Sequence, residues 1–406
     1  MQDAFADLIP RFDLRGMDLQ LDRMQAALHS MGSPCGDIPA IQVVGTNGKG
    51  SIACFLATAL HRSGIRTGLT TSPHLVSWCE RIRVDGEPIT EECLRHRLIA
   101  RQELGRIHRL TPFELLLAVA FDHFHEAAVE LLVLEVGLGG RLDATTAHPH
   151  RPVIAMASIG LDHCEHLGET LTAITLEKGA VITPGSTVIS AEQLPEVTTV
   201  LKRICRERRA QLQWVEPLPA SWTLGLPGTI QRSNAAVARG ALQALHGLGW
   251  SLPDQSIQSG FAAARWRGRL QTVQWRGLPL RLDGAHNPAA AEQLARERLQ
   301  WAGHVNGICW VLAIQAHKQA IAMLRILVKP SDRVWIVPVP EHNSWDRDSL
   351  LKVVPHWHHQ LHQSRDAESA LLQIRDQGPW PNPPPVVAGS LYLLGDLFGH
   401  NLVTAE

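Results

Sequence analysis

A glycine-rich stretch with one lysine follows an apolar run near the start of the chain. The run Ile41–Val44 leads directly into Gly45, Thr46, Asn47, Gly48, Lys49, Gly50 and Ser51. Apolar residues at helical spacing come next, so the pattern predicts a strand, a loop and a helix. Backbone N–H groups and the helix dipole would then face an anion, and Lys49 would add a positive charge. The alternative is a plain strand-to-helix turn with a surface lysine.

Phosphates bound on such a loop need a divalent cation, and magnesium prefers hard oxygen ligands. Glu135 lies near the C-terminal end of the apolar run Leu131–Val136, and burying its carboxylate is costly unless a cation compensates. Alternatively, Glu135 caps a neighbouring helix. Ser51 and Ser72 could add hydroxyl ligands, although either one alone is commonly a turn residue.

Two further polar groups follow the next predicted elements. His163 comes after Asp162 at the end of a strand, where we expect it beside Glu135 on one sheet edge; a packed histidine is the alternative. Lys178, on a predicted helix 171–181, is a solvated lysine, a counter-ion to metal and phosphates, or an amine that captures carbon dioxide as a carbamate. Carbamylation requires a pKa below the ordinary value of about 10.4. The residues alone do not choose among these.

A second polar turn follows the predicted strand Leu278–Leu282. It presents Asp283, His286 and Asn287 just before Pro288. Such a turn on a separate domain suits closure over a nucleotide and a second substrate. Alternatively, the aspartate and asparagine only cap the helix that Pro288 begins. Arg269, shortly before the strand, either reaches phosphate or is a solvated charge.

The elements that must position these groups alternate along the chain. Strand-like runs alternate with helical patterns, which is typical of a doubly wound, mostly parallel α/β sheet with ligands outside the carboxyl ends of its strands. An exposed helix is predicted from Thr90 to Leu104. Another begins at Thr111, where threonine at the N-cap, Pro112 at N1 and Glu114 at N3 form a start signal.

The basic segment Arg265–Arg269 indicates a domain junction. We therefore predict two domains, an ATP-binding domain over residues 1–265 that contains the phosphate loop and a smaller, Rossmann-like α/β domain over residues 266–406.

Bulk composition narrows the class of protein. The 406 residues carry 38 basic and 39 acidic side chains, so no global charge attracts nucleic acid or a membrane surface. Seven scattered cysteines indicate reduced thiols in a cytoplasmic protein. The longest apolar runs are too short to span a bilayer. We expect a cytoplasmic monomer with small-molecule partners.

Taken in order, these segments resemble the folylpolyglutamate synthase/dihydrofolate synthase family of the Mur ligase superfamily. No single motif is decisive, but the ordered set covers nearly the whole chain. The matching segments are Gly45–Ser51, Thr71–Leu75, Glu80–Val84, Glu135–Thr145, Gly160–His163, Glu177–Lys178, Arg267–Leu270, Asp283–Pro288 and Gly389–Leu393.

The resemblance implies an ATP-dependent amide ligase that adds L-glutamate to dihydropteroate, to folyl-glutamates, or to both, through an acyl phosphate. It implies that the loop 45–51 binds ATP phosphates, and that the nucleotide is also served by Asn234, Arg269 and Asp283. Magnesium would be held by Ser51, Ser72, Glu135 and His163, and Lys178 would be carbamylated. We assign catalysis to Lys49, Lys178 and His286, and substrate contact to Phe113, His286 and Ser390.

Some positions depart from the family pattern. They are Ile230 where histidine precedes Gln231, His317-Lys318-Gln319 in place of Asp-Lys-Asp, the order Gly179-Ala180, and Thr146 in place of asparagine. Two other functions compete. A peptidoglycan Mur ligase needs a domain for its UDP-sugar, but only 44 residues precede Gly45. A nucleotide-dependent switch would not need Asp283 and His286.

Overall fold

The computed structural model describes residues 4–9 and 18–405. Two compact units divide the chain. The first holds the described residues up to Gly225 together with Gln231–Arg265, and the second holds Leu226–Ile230 together with the described residues from Trp266 onward.

The first unit is built on an eight-stranded sheet. Its strands are β1 (Ala40–Val44), β2 (Thr67–Thr70), β3 (Ile82–Val84), β4 (Glu87–Pro88), β5 (Leu131–Glu135), β6 (Val153–Met156), β7 (Thr187–Ala191) and β8 (Gln211–Val215). Their order is β4-β3-β2-β5-β1-β6-β7-β8. The six strands from β2 to β8 in this order are parallel, and β3 and β4 add an antiparallel edge. The predicted mostly parallel sheet is confirmed.

Helices surround this sheet. They are Leu21–Ser30, Lys49–Arg62, Glu91–Ala100, Gln102–Ile107, Pro112–Glu126, Cys164–Leu167, Leu171–Gly179, Pro195–Arg208, Ile230–Gly247 and Asp254–Ala263. Short 3₁₀ turns cover Trp78–Arg81 and Ala144–Ala147. All five residues of β1 and of β5 are buried, as expected for strands covered on both faces.

The start signal at Thr111 is confirmed. The Thr111 side chain accepts a hydrogen bond from the Glu114 amide, and the Glu114 carboxylate accepts one from the Thr111 amide at 2.7 Å. This reciprocal pair satisfies two N–H groups that the first helical turn cannot satisfy itself.

The predicted single helix from Thr90 to Leu104 is wrong. The chain forms two helices, Glu91–Ala100 and Gln102–Ile107, which meet at Arg101. Arg101 leaves the helical region with φ −106° and ψ 7°, and its amide bonds to carbonyls of the preceding turn. The alternation of charged and apolar residues does not reveal the break at Arg101, because the same periodicity continues from one helix into the next.

The second unit has a seven-stranded sheet in the order β13-β12-β11-β14-β10-β9-β15. Its strands are β9 (Gln271–Trp275), β10 (Leu278–Leu282), β11 (Cys309–Leu312), β12 (Arg333–Ile336), β13 (Leu361–Gln363), β14 (Val386–Ala388) and β15 (Thr404–Ala405). Its main helices are Pro288–Glu297, Ala320–Leu327, Arg347–Val353, Ala367–Asp376 and Leu391–Gly399. Five strands are parallel, and β9 pairs antiparallel with β10 and β15.

A buried ion pair anchors this second sheet. Asp332 pairs with Arg298 through two hydrogen bonds of 2.6 and 3.0 Å, and both side chains are almost fully buried. The Asp332 carboxylate also accepts hydrogen bonds from the amides of Ile308 and Lys329 and from the Trp310 indole. Because so many donors surround the carboxylate, its buried charge is compensated.

Two further observations concern the cysteines and the length and character of the helices. All seven cysteines lie within the described residues and are free thiols. Within residues 4–9 and 18–405, no helix combines the length and the apolar character needed to cross a membrane.

Candidate active site

Two glycines let the phosphate loop pack closely against its surroundings. Gly45 has φ +147°, and a Cβ there would lie 2.6 Å from the Cβ of Ala157. Gly48 has φ +97°, and a Cβ there would lie 2.5 Å from Oδ1 of Asn234. Neither backbone conformation suits an L side chain, and neither site has room for one. The structure thus brings Asn234 against the loop, within the first unit.

The loop is tied to the chain that leaves β6. The Thr46 amide donates to the carbonyl of Ser158 at 2.7 Å, and the Thr46 hydroxyl donates to the carbonyl of Gly160 at 3.1 Å. The Ser158 hydroxyl in turn donates to the carbonyl of Asn47 at 3.1 Å. Sequence reasoning missed Ser158, whose only signal was its place at the end of a predicted strand.

Two lysines converge on one carbonyl of the loop. Lys49 Nζ donates to the carbonyls of Gly45 and Thr46 at 3.3 and 3.1 Å, and Lys178 Nζ donates to the Gly45 carbonyl at 2.9 Å. Lys178 is only 5% exposed, so its interpretation as a solvated lysine is wrong. Burial, together with the nearby charge of Lys49, lowers the pKa of Lys178 from 10.5 to about 7.

The residues expected to bind magnesium include a buried hydroxyl and a buried carboxylate. Ser51 Oγ is buried, and among the described residues it has no hydrogen-bond partner. An orphaned buried hydroxyl beside a phosphate loop fits a cation ligand. Glu135 is 4% exposed, and its Oε2 accepts a hydrogen bond from the Ser72 amide at 3.2 Å. Serine, carboxylate and phosphate oxygens together match the hard ligands that magnesium takes.

His163 follows a strand, β6, that ends at the same edge of the sheet as the strand that carries Glu135. β5 and β6 flank β1, all three are parallel, and the chain after β6 carries His163. His163 has φ +50° and precedes the helix Cys164–Leu167; its ring nitrogens lie 3.8 Å from Asp162 and 3.9 Å from Glu165. No cluster of three histidine, cysteine, aspartate or glutamate side chains suited to a metal occurs in the described part of the chain.

A buried carboxylate without an assigned role organises the loop after β5. Asp143 is 1% exposed, and it accepts hydrogen bonds from the amides of Gly137 and Leu138 at 2.9 and 3.1 Å. Its other oxygen accepts from the amide and hydroxyl of Thr145. Burial raises the pKa of Asp143, and the donated hydrogen bonds oppose that rise. The only sequence signal for Asp143 was its place within the matching segment Glu135–Thr145.

Phe113 lies against the same loop. A Cβ at Gly137 would lie 2.9 Å from Cζ of Phe113 and 3.3 Å from an oxygen of Asp143. The aromatic ring expected to contact substrate is therefore packed on the segment that follows Glu135.

In the second unit, the polar turn after β10 is stabilised from within. The Asp283 carboxylate accepts hydrogen bonds from the amides of Leu270 and Ala285, both at 2.9 Å. Burial raises the pKa of Asp283, and the charge of Arg269 opposes this. A Cβ at Gly284 would lie 2.5 Å from Nη1 of Arg269, so the guanidinium lies directly on the turn.

The remaining predicted residues of this unit make local hydrogen bonds. His286 Nδ1 lies 2.8 Å from the Gly284 carbonyl, and because a carbonyl only accepts, Nδ1 carries the proton. The Asn287 side chain accepts from the Ala290 amide and caps the next helix. The capping alternative therefore holds for Asn287 but not for Asp283, whose carboxylate accepts from the amides of Leu270 and Ala285. Ser390, 2% exposed, likewise caps the helix Leu391–Gly399.

The fold and this loop define the chain as a nucleotide-binding α/β protein of the phosphate-loop class. A family model described as "Dihydrofolate synthetase, C-terminal domain" matches residues 267–400. The "Probable dihydrofolate synthetase" of Schizosaccharomyces pombe is 32% identical, covering 94% of this chain and 98% of its own length.

Two solved structures have folds similar to that of this chain. Mycobacterium tuberculosis folylpolyglutamate synthase complexed with ADP matches with a TM-score of 0.86 at 27% identity, covering 97% of each chain. E. coli FolC in complex with DHPP and ADP matches with a TM-score of 0.83 at 25% identity, covering 95% of this chain and 94% of that one. The chain belongs to the dihydrofolate synthase/folylpolyglutamate synthase family of ATP-dependent ligases, as its sequence predicts.

Proposed function

We propose that this protein uses ATP to join L-glutamate to the carboxyl group of dihydropteroate, and also to that of folyl-glutamates. The observation that carries the proposal is the loop itself. Two lysine amines meet on the Gly45 carbonyl, and the same loop carries the orphaned hydroxyl of Ser51. The family relationship supports glutamate as the amine substrate, and full-length similarity to a dihydrofolate synthetase supports dihydropteroate as one acceptor.

The reaction proceeds in two steps. A carboxylate oxygen of the acceptor takes the γ-phosphoryl group of ATP, and ADP leaves. The amine of L-glutamate then attacks the acyl carbon, loses a proton, and phosphate departs as the amide forms. Lys49 compensates negative charge on the phosphates, so the contribution of the protein is mainly positioning and electrostatic stabilisation.

Magnesium fits the residues described above. Ser51, Ser72, Glu135 and His163 would hold the ion. When bound, magnesium neutralises part of the charge on the phosphates. Glu135 is suited to this role because its carboxylate is buried at the end of β5.

Lys178 has the chemistry that a carbamate requires. Its amine is buried and its pKa is lowered to about 7, so a large fraction is neutral and nucleophilic near neutral pH. We propose that it takes up carbon dioxide. A ¹³C resonance of a carbamate in protein equilibrated with ¹³C-bicarbonate, absent from Lys178→Met, would support this.

We also propose roles for six further residues. Asn234, Arg269 and Asp283 serve the nucleotide, and Phe113, His286 and Ser390 serve the substrates. We also propose that the enzyme acts as a monomer, which sedimentation would test.

One assay tests the function. Purified protein is given ATP, magnesium and radiolabelled L-glutamate, with dihydropteroate, tetrahydrofolate or a UDP-muramyl compound as acceptor. We expect incorporation with the first two acceptors. Incorporation only into the UDP-muramyl compound, or into none of the three, would overturn the proposal.

A further inference from the structure

A short segment joins the proposed metal carboxylate to the helix that carries Lys178. Gly137–Asp143 begins two residues after Glu135. At its middle, a Cβ on Gly140 would lie 2.9 Å from the Glu177 carbonyl and 3.0 Å from the Lys178 carbonyl. The amide after Gly140 donates to the Glu177 carbonyl at 3.0 Å. The segment therefore runs from Glu135 to the backbone of the helix that carries Lys178.

Asp143 closes this segment on itself. Its carboxylate receives the amides of Gly137 and Leu138 on one oxygen and the amide and hydroxyl of Thr145 on the other, at 2.5 to 3.1 Å. Four donated hydrogen bonds fill the acceptor capacity of a buried carboxylate. The first residues after Glu135 are thereby fixed to a point in the interior.

A second hydrogen-bonded route supports the same geometry. Gln42 of β1 donates to the Thr145 hydroxyl at 2.9 Å, and its carbonyl oxygen accepts from Arg151. Arg151 also donates to the Val181 carbonyl at 3.1 Å, just past the helix that bears Lys178. Both routes from Asp143 therefore end at the carboxyl end of that helix.

We infer that Asp143 is a positioning residue that holds the Glu135 carboxylate at a fixed place relative to Lys178 and the phosphate loop, and that it thereby sets the affinity of the enzyme for its divalent cation. The inference rests on the proposed function. Partners that orient metal ligands without touching the metal typically change metal affinity by about 10- to 100-fold when they are removed.

The test replaces Asp143 with asparagine. The asparagine amide places an NH₂ group where the carboxylate has one of its two oxygens. That NH₂ group would face hydrogen-bond donors of the loop and could not accept from them. Mn²⁺ is titrated into protein saturated with the ATP analogue AMPPCP, and free Mn²⁺ is measured by electron paramagnetic resonance. We expect Asp143→Asn to weaken Mn²⁺ binding by about tenfold and to leave the KM for L-glutamate unchanged.

Asp332→Asn is the matched control, because Asp332 is an equally buried carboxylate that accepts backbone amides in the other unit. It should lower the melting temperature without changing Mn²⁺ affinity. If Asp143→Asn does not fold, Thr145→Val, which removes one donor to Asp143, decides the question and should weaken Mn²⁺ binding more modestly. The inference is overturned if the folded Asp143 variant, or Thr145→Val in its place, binds Mn²⁺ like the wild type, or if Asp332→Asn weakens binding equally.

Failure of this inference is distinct from failure of the proposed function. If the wild-type enzyme incorporates glutamate and Asp143→Asn binds Mn²⁺ normally, only the positioning role is lost. If the wild type incorporates no glutamate, the proposed function itself fails.

Discussion

Lys178→Met tests the energetic consequence of burying an amine beside another lysine. The folded protein lowers the pKa of Lys178 from 10.5 to about 7. This lowering of the pKa corresponds to roughly 5 kcal/mol of unfavourable free energy when the amine is forced to be charged. Methionine has a similar length and no charge, so the substitution removes this unfavourable free energy. It also removes one hydrogen bond to the Gly45 carbonyl, which costs about 1 kcal/mol.

The sign of the pH dependence follows from proton binding. Between pH 7 and 10.5 the unfolded chain keeps Lys178 protonated while the folded chain has released that proton. The free energy of unfolding of the wild type therefore rises with pH in this window, by at most about 1.4 kcal/mol per pH unit from this group. Below pH 7 the contribution of Lys178 to the free energy of unfolding no longer changes with pH, and there we expect Lys178→Met to be the more stable protein.

The assay is urea-induced unfolding followed by circular dichroism, at a series of values from about pH 6 to about pH 9.5 in buffers free of carbon dioxide. The quantity compared is the free energy of unfolding of the wild type minus that of Lys178→Met. It should be flat and negative at low pH and should then rise. Lys202→Met, a change at an exposed lysine of the helix Pro195–Arg208, should keep the slope of the wild type. Parallel curves for the wild type and Lys178→Met would refute the reasoning.

Three further predictions concern the loop and the second unit. Lys49→Ala should reduce glutamate incorporation by at least about 100-fold, because it removes a charge from the phosphates, while the melting temperature stays near that of the wild type; full activity would contradict the phosphate-loop assignment. Gly45→Ala should destabilise the protein by about 3 kcal/mol in urea unfolding, because its Cβ would meet Ala157 at 2.6 Å; unaltered stability would show that the loop tolerates a side chain. Asp332→Ala leaves the Arg298 charge buried and unpaired, so unfolding should become easier by about 3–5 kcal/mol, and a change below about 1 kcal/mol would mean that the pair is not structurally important.

Structural features that depend only on residues close together in the chain could be predicted from the sequence. The Thr111 start signal needs only residues three positions apart, and the strand, loop and helix around Lys49 follow from local periodicity and glycine placement. The alternation of strand-like runs with helical patterns likewise predicted the parallel sheet, because parallel strands need a crossover connection, which is usually a helix. The prediction did not include the strands β7 and β8. For β8 the reason is that it is largely exposed at the sheet edge and lacks an apolar run.

Tertiary structure alone decided which distant residues meet. Lys178 lies 133 positions from Gly45, and its burial follows from the order of strands in the sheet and from the packing of its helix. Its own helical pattern equally fits a solvated residue. The same holds for Gln42 and Thr145, which lie 103 positions apart and form a hydrogen bond of 2.9 Å. Residue types and local spacing therefore determine the chemistry available to this chain, whereas protonation and contact depend on burial and distance, which arise only when the whole sheet assembles.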